Sequence, residues 1–357
     1  MSHPRSQRLV LVAPLLILAA FVCACFGSSS DAEPGPGDAT SASDGIQIAT
    51  LTPTVEGAAP EATLGPTTEP SGTPEPSGTQ DPPTPTPDVP AVVATGLELQ
   101  PPALRQGGYS VVYLYDPAEN ATLSFGGLQY PMLRDGDRWW AVIGIGAFAE
   151  PGLAPLSVAY TPAGGGDVQS IAQSIEIVPH DYPVENINLD PQTSALLDPE
   201  IVNNELAIRA GVLSGYTANK LWSGPFVRPA DGEISSIYGV ARSYNNGPVS
   251  GYHHGTDFTG AIGAPAYAAA AGTVVFADEL QVRGNTIMID HGAGLFTAYN
   301  HLSAINVAQG EVVTPGQLIG AIGSTGLVTG PHLHWEVILR TIEVDGELWL
   351  EGIPVGP

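Results

Sequence analysis

Apolar positions along this 357-residue chain fall into several regimes. Leu9 to Val22 is a continuous apolar run behind Arg5 and Arg8. Over 26–93 apolar residues thin out among Pro, Thr, Ser, Gly and acids, with Pro-Thr-Pro-Thr-Pro at 83–87. That stretch cannot bury enough apolar surface to fold, so it reads as a disordered linker. From 94 to 180 short β-type runs return: Ser110-Val111-Val112-Tyr113-Leu114-Tyr115, Ala141-Val142-Ile143-Gly144-Ile145 and Leu156-Ser157-Val158-Ala159-Tyr160. Asp135-Gly136-Asp137 and Ala163-Gly164-Gly165-Gly166 punctuate them, and strands at this spacing predict a β-sandwich-like domain. Over 181–221, Ile201, Leu206, Ile208, Val212 and Leu213 recur at roughly helical spacing after Pro199, a residue suited to a first helical turn. This predicts a short helical connection. From 222 to 357 the chain is Gly-rich and β-forming again.

The formal net charge is −25, with a single lysine, Lys220, among eleven basic residues. No basic cluster exists to neutralise phosphates, which excludes nucleic acid as a partner. Anionic headgroups would repel an acidic surface, so any membrane tie needs an anchor. The N-terminus offers one: a basic start, a short apolar core and small residues ahead of a break form a secretory signal. Val22-Cys23-Ala24-Cys25 resembles a bacterial lipobox, although Cys23 is atypical there. Residues 1–25 are then signal peptide and lipobox, with Cys25 the lipidated first residue of the mature chain. The alternative is an uncleaved apolar anchor from Leu9 to Phe26. Either reading puts the remainder outside the cytoplasm, in the cell envelope. No cysteine follows Cys25, so the folded part does without disulfides. Extended at about 3.1 Å per residue, the linker would reach on the order of 200 Å from the membrane.

The chemistry concentrates in two places. His332-Leu333-His334 supplies an H-x-H, and His253-His254-Gly255-Thr256-Asp257 an H-x-x-x-D. Neutral imidazoles with one carboxylate suit a hydrolytic zinc ion that keeps one position open for water. On a strand, alternation puts His332 and His334 on one face and Leu333 on the other. His253 and Asp257 also have matching parity.

From Phe226 onward the blocks resemble the M23 family of zinc metallopeptidases, the lysostaphin- and LytM-like cell-wall endopeptidases. Those blocks are Ser235-Ser236-Ile237-Tyr238-Gly239, His253 to Asp257, Gly263-Ala264-Pro265, Ala271-Gly272-Thr273-Val274, Gly284 to Gly292, Tyr299-Asn300-His301-Leu302-Ser303, Gly316 to Gly320, Gly323 to Gly326 and Gly330 to Glu336. The resemblance implies an antiparallel β-sheet domain in which His253, Asp257 and His334 bind zinc while His301 and His332 are the catalytic imidazoles. It also implies peptidoglycan peptide as substrate. The glutamate base of H-E-x-x-H proteases is absent, so a base must come from elsewhere. The imidazoles that the resemblance implies, His301 and His332, suit that work and hydrogen-bonding of the oxyanion; their division of labour stays open. His254 is expected to be a surface neighbour, His291 a turn residue between strands, and His180 a domain-edge residue. Arg242, Tyr244 and Asn245 are candidate substrate contacts. Gly255 is expected to allow close backbone approach to the metal, and Gly326 and Gly330 to bracket a groove wall. Two other functions compete: a non-catalytic LytM-like domain that regulates or binds wall enzymes, and a zinc peptidase acting on proteins. The oligomeric state is not readable.

Overall fold

The computed structural model describes residues 96–351, which lie within one compact unit. The apolar segment, Cys25 and the expected linker over 26–93 lie outside the described residues. No helix among the described residues is long and apolar enough to cross a membrane.

The first strands are β1 (Leu97–Gln100), β2 (Ala103–Arg105), β3 (Tyr109–Leu114), β4 (Ala118–Phe125), β5 (Leu128–Pro131), β6 (Leu133–Asp135), β7 (Arg138–Gly144), β8 (Gly152–Pro162) and β9 (Gln169–Val178). They form two sheets, ordered β1-β3-β7-β6 and β2-β9-β8-β4-β5. Between the sheets lies a core that includes Leu104, Val112, Leu114, Leu123, Ile143 and Ile175. A sandwich of the expected kind is therefore present.

Strands β3 and β7 explain their own unbroken apolar runs. Val112, Leu114, Ala141 and Ile143 face into the sandwich. Their alternating neighbours Val111, Tyr113, Trp140 and Val142 point the other way, into the same core as Trp222, Phe226, Phe258, Trp335 and Trp349. A strand buried on both faces needs apolar residues at every position. Each such side chain contributes about 1.5–3 kcal/mol on burial, so these four supply roughly 6–12 kcal/mol, as much as a whole domain's net stability. The sandwich is thus packed tightly onto the C-terminal β region.

After β10 (Val184–Ile187) come α1 (Pro191–Ser194) and α2 (Pro199–Leu213). Asp198 caps α2 by accepting from Glu200 N, and Pro199 opens it. The helix buries Glu205, Arg209 and Leu213, spaced i, i+4, i+8, while Leu206 and Ile208 from the expected apolar series are 48% and 42% exposed. The face it presents inward is largely ionic.

Strands β11 (Ile234–Ser236), β12 (Ala241–Tyr244), β13 (Val249–Tyr252), β14 (Thr256–Thr259), β15 (Pro265–Tyr267), β16 (Gly272–Leu280), β17 (Gly284–Gly292), β18 (Leu295–Leu302), β19 (Ala304–Ile305), β20 (Val312–Val313), β21 (Leu318–Ala321), β22 (His332–Leu339) and β23 (Ile342–Val344) follow, then α3 (Glu347–Leu350). The main sheet runs β11-β14-β22-β18-β17-β16-β20, with β23 beside β22, and all its pairs are antiparallel. Smaller sheets, β15-β21-β19 and β10-β12-β13, flank it. The fold is mainly β, with antiparallel sheets dominating.

Candidate metal centre

Strand β22 is central in the main sheet, between β14 and β18. Leu333 is wholly buried in the core, which turns His332 and His334 to the opposite face. Register then delivers the carboxylate: Asp257 on β14 lies directly opposite His334, and Thr259 opposite His332. His253 arrives differently. It lies past the end of β13, in the turn before β14, so strand parity does not explain its position. Its backbone holds it instead, N donating to Val240 O at 2.7 Å and O accepting from Gly239 N at 2.8 Å. Gly255 makes the turn possible. A Cβ there would collide with the carbonyl of Trp335 and lie 3.0 Å from the His334 ring, so the close approach is to β22 itself.

Three donor atoms meet at one point. His253 Nε2 lies 3.0 Å from Asp257 Oδ1 and 2.9 Å from His334 Nδ1, and His334 Nδ1 lies 2.8 Å from Asp257 Oδ1. The remote ring nitrogens fix the tautomers. His253 Nδ1 faces Ile237 O at 2.8 Å, and a carbonyl can only accept, so Nδ1 carries the proton and Nε2 a lone pair. Likewise His334 Nε2 donates to Glu336 Oε1 at 3.1 Å, leaving the lone pair of the neutral ring on Nδ1. Two lone pairs and an anionic oxygen converge, an arrangement that repels itself unless a cation sits among them. The edges are close to the ~3.3 Å expected around a tetrahedral ion with bonds of about 2.0–2.1 Å. His253, Asp257 and His334 are therefore a group that fits a metal ion.

The electrostatics agree. Burial pushes the His253 imidazole down to about 4, against the opposing pull of Asp257, so it is neutral at physiological pH. Burial alone would raise the Asp257 carboxyl, but His253 and His334 outweigh it and hold the group well below its usual range. Burial resists charging of His334, yet Asp257 and Glu336 on either side move its value up. A metal ion takes the Nδ1 lone pair of the neutral ring, so metal binding and protonation of His334 compete.

His301 and His332 complete the face. Their ring centroids are 4.9 Å apart, and that of His301 is 5.8 Å from His334. His332 Nε2 is 3.6 Å from Asp257 Oδ1, and its Nδ1 donates to Gly330 O at 2.9 Å. His301 Nδ1 donates to Thr325 O at 2.8 Å. Both rings thus keep Nε2 free as an acceptor. His301 owes its aim to an irregularity: β18 fits three residue steps, Tyr299 to Leu302, against two on β17, Ile287 to Asn285. His301 takes φ +63°, a conformation costing about 1–3 kcal/mol for a non-glycine residue. A bulge that re-aims a side chain is a recurrent device beside active sites. Burial holds the His301 imidazole well below its ordinary value.

Other candidates resolve differently. His254 stacks on Tyr252 with centroids 4.5 Å apart and its Nδ1 lies 3.7 Å from Glu343, away from the metal point. His291 is not a turn residue: it is the next-to-last residue of β17, wholly buried, with its nitrogens on Ala271 O at 2.7 Å and Thr297 Oγ1 at 2.8 Å. His180 Nε2 sits 3.1 Å from Arg105 Nη1, and its ring meets Tyr182 edge to face with centroids 4.6 Å apart. The polar atoms of Arg242 and Asn245 bond within the chain. Arg242 is buried between Glu185, Ser236 and Asp257, and Asn245 bonds to Leu189 and Ser194. Gly326 is required by φ +77° and by the neighbouring carbonyl of Val282, whereas Gly330 has open space around it. The group not anticipated is Glu336. It lies two residues past His334, so strand alternation places it on the ligand face.

Residues 251–346 match the model of Peptidase family M23. Over 88 residues the chain is 49% identical to the peptidoglycan DD-endopeptidase ShyA of Vibrio cholerae, a stretch covering 25% of this chain and 20% of that protein. ShyB, also a peptidoglycan DD-endopeptidase of Vibrio cholerae, is 44% identical over 116 residues, covering 32% and 26% respectively. The chain thus spans about a fifth to a quarter of the length of these curated relatives. A Pseudomonas aeruginosa crystal structure assigned to peptidase M23 is similar with a TM-score of 0.52 at 28% identity, covering 71% of this chain and 96% of that one. The likeness in fold therefore reaches beyond residues 251–346.

Proposed function

We propose that this chain, whose residues 251–346 are an M23 peptidase domain, is a zinc-dependent endopeptidase that hydrolyses peptide bonds in bacterial peptidoglycan. The observation that carries the reading is the convergence of His253 Nε2, Asp257 Oδ1 and His334 Nδ1 beside two further imidazoles with free Nε2 atoms. Two neutral nitrogens and one carboxylate are the donor set of a hydrolytic zinc site with an open position. A zinc ion held there would supply Lewis acidity and lower the pKa of a bound water toward about 7.

The chain's own groups supply the rest. His301 and His332, tied at Nδ1 to Thr325 O and Gly330 O, each present Nε2 as a proton acceptor. One takes the proton of the attacking water. Once protonated, an imidazole here can donate to the developing oxyanion or to the departing amine. The carbonyl ties hold both rings in place, so little reorganisation accompanies proton movement. The wall substrate is supported by the names of ShyA and ShyB. An extracytoplasmic position on a lipid at Cys25, with the linker as spacer, is supported by the N-terminal sequence pattern.

The test is digestion of defined cross-linked muropeptides by the zinc-loaded full chain, read by mass spectrometry. Products should sum to substrate plus one water, and chelation should abolish them. A folded, zinc-loaded chain that cleaves no muropeptide would refute the assignment.

A further inference from the structure

We infer that helix α2, which lies before residues 251–346, is a working part of the metal centre: Arg209 positions the ligand His334 through Glu336, and Glu205 positions His301 through Arg283. The inference rests on the metal reading above.

The chain of contacts is short. His334 Nε2 donates to Glu336 Oε1 at 3.1 Å. The same oxygen accepts from Arg283 Nε at 2.8 Å, and Oε2 accepts from Arg209 Nη2 at 2.6 Å. Arg209 also reaches Glu343 Oε1 at 3.2 Å. One turn back on α2, Glu205 Oε2 accepts from the backbone N of Val282 at 2.6 Å and of Arg283 at 3.3 Å, while Oε1 takes Arg283 Nη1 at 3.0 Å. The carbonyl of Arg283 in turn accepts the backbone N of His301 at 2.9 Å, at the strained position that aims the ring.

Glu205 and Arg209 are each 2% exposed and Glu336 is fully buried. Buried ion networks are a weak source of stability, often bettered by apolar residues of the same volume. The orientation of α2 makes the same point: a helix kept only for packing would turn Leu206 and Ile208 inward, not an Arg and a Glu. What the network does is hold Glu336 by both oxygens. Without Arg209, Oε2 would have no partner, the carboxylate would turn toward other donors, and the acceptor that orients His334 would move with it. Partners behind a metal-binding histidine set both its orientation and its donor strength.

The experiment uses the full chain. Zinc affinity is measured by competition with a chromophoric chelator for wild type, Arg209→Met and Arg209→Lys, each with a melting curve. Arg209→Met should bind zinc about ten- to a hundredfold more weakly, the usual size of a lost outer partner. Arg209→Lys, which keeps one donor for Oε2, should recover part of that loss; a purely structural role would couple melting temperature to the substitution but leave affinity alone. Wild-type affinity in folded Arg209→Met overturns the inference by itself. A wild-type chain that binds no zinc overturns the metal reading and this inference together. Should Arg209→Met not fold, hydrogen exchange on the wild-type chain decides. Zinc should slow exchange in the second half of α2 as well as in β14 and β22, because coupling between sites is reciprocal. Slowing in the strands with none in α2 overturns it.

Discussion

Asp257 and His334 face each other across the β14–β22 pair, with Oδ1 2.8 Å from Nδ1. Register sets that meeting, since a one-residue slip of either strand would carry its ligand to the other face. The site therefore depends on how closely the two strands approach, and Gly255 governs that approach.

Gly255→Ala should push the turn away from the carbonyl of Trp335. Overpacking of this kind costs about 1–3 kcal/mol. Zinc affinity should fall as well, because Asp257 shifts with its strand. Melting curves and zinc titration check both effects, and wild-type values in each would show that the turn has slack.

His301 and His332 are assigned to proton movement, not to ligation. Substituting either with Ala should leave zinc content near wild type while muropeptide cleavage drops on the order of a hundredfold or more. If the rings merely pack the strand, stability falls and the remaining folded enzyme stays active. A folded, zinc-loaded and fully active His301→Ala would remove that residue from the mechanism.

His291 makes folding sensitive to acid. Burial pushes its folded-state value down to about 4, against about 6.5 when unfolded. The folded chain binds fewer protons in that window, so this contribution is complete above about pH 6.5 and is lost as pH falls toward 4. The shift corresponds to about 3 kcal/mol. Urea unfolding at several pH values should show a smaller drop from pH 7 to 4.5 for His291→Gln than for wild type. Equal drops would place the acid sensitivity elsewhere.

Lipidation at Cys25 predicts that a fatty-acid analogue tags the wild-type chain in cells and fails to tag Cys25→Ala. Equal labelling of both would exclude that anchor.

Strand alternation made much of the site legible. His332, Leu333 and His334 follow it, and so does Glu336, whose role emerges only when Arg209 arrives from a helix 127 positions away in the chain. His253 was findable by residue type but not by parity, because it sits in a turn held by backbone bonds to Val240 and Gly239. His291 reads as a turn residue because Gly292, Ala293 and Gly294 do turn, with positive φ at all three. The turn begins one residue later than Asp290-His291 suggests, and the ring finds partners on Ala271 and Thr297. Helix α2 announces itself through Pro199 and its apolar spacing, but which face turns inward depends on partners remote in sequence. Buried Glu205 and Arg209 are tolerable only because Arg283 and Glu336 meet them.

The central claim is that His253, Asp257 and His334 hold one zinc ion. Native mass spectrometry of the full chain, stripped of metal and then titrated with zinc, tests it most directly. Wild type should take up one tightly held ion per chain, and Asp257→Ala and His334→Ala should take up none at the same free zinc. A folded His334→Ala with full zinc occupancy, or a folded wild type that retains none, would contradict the account.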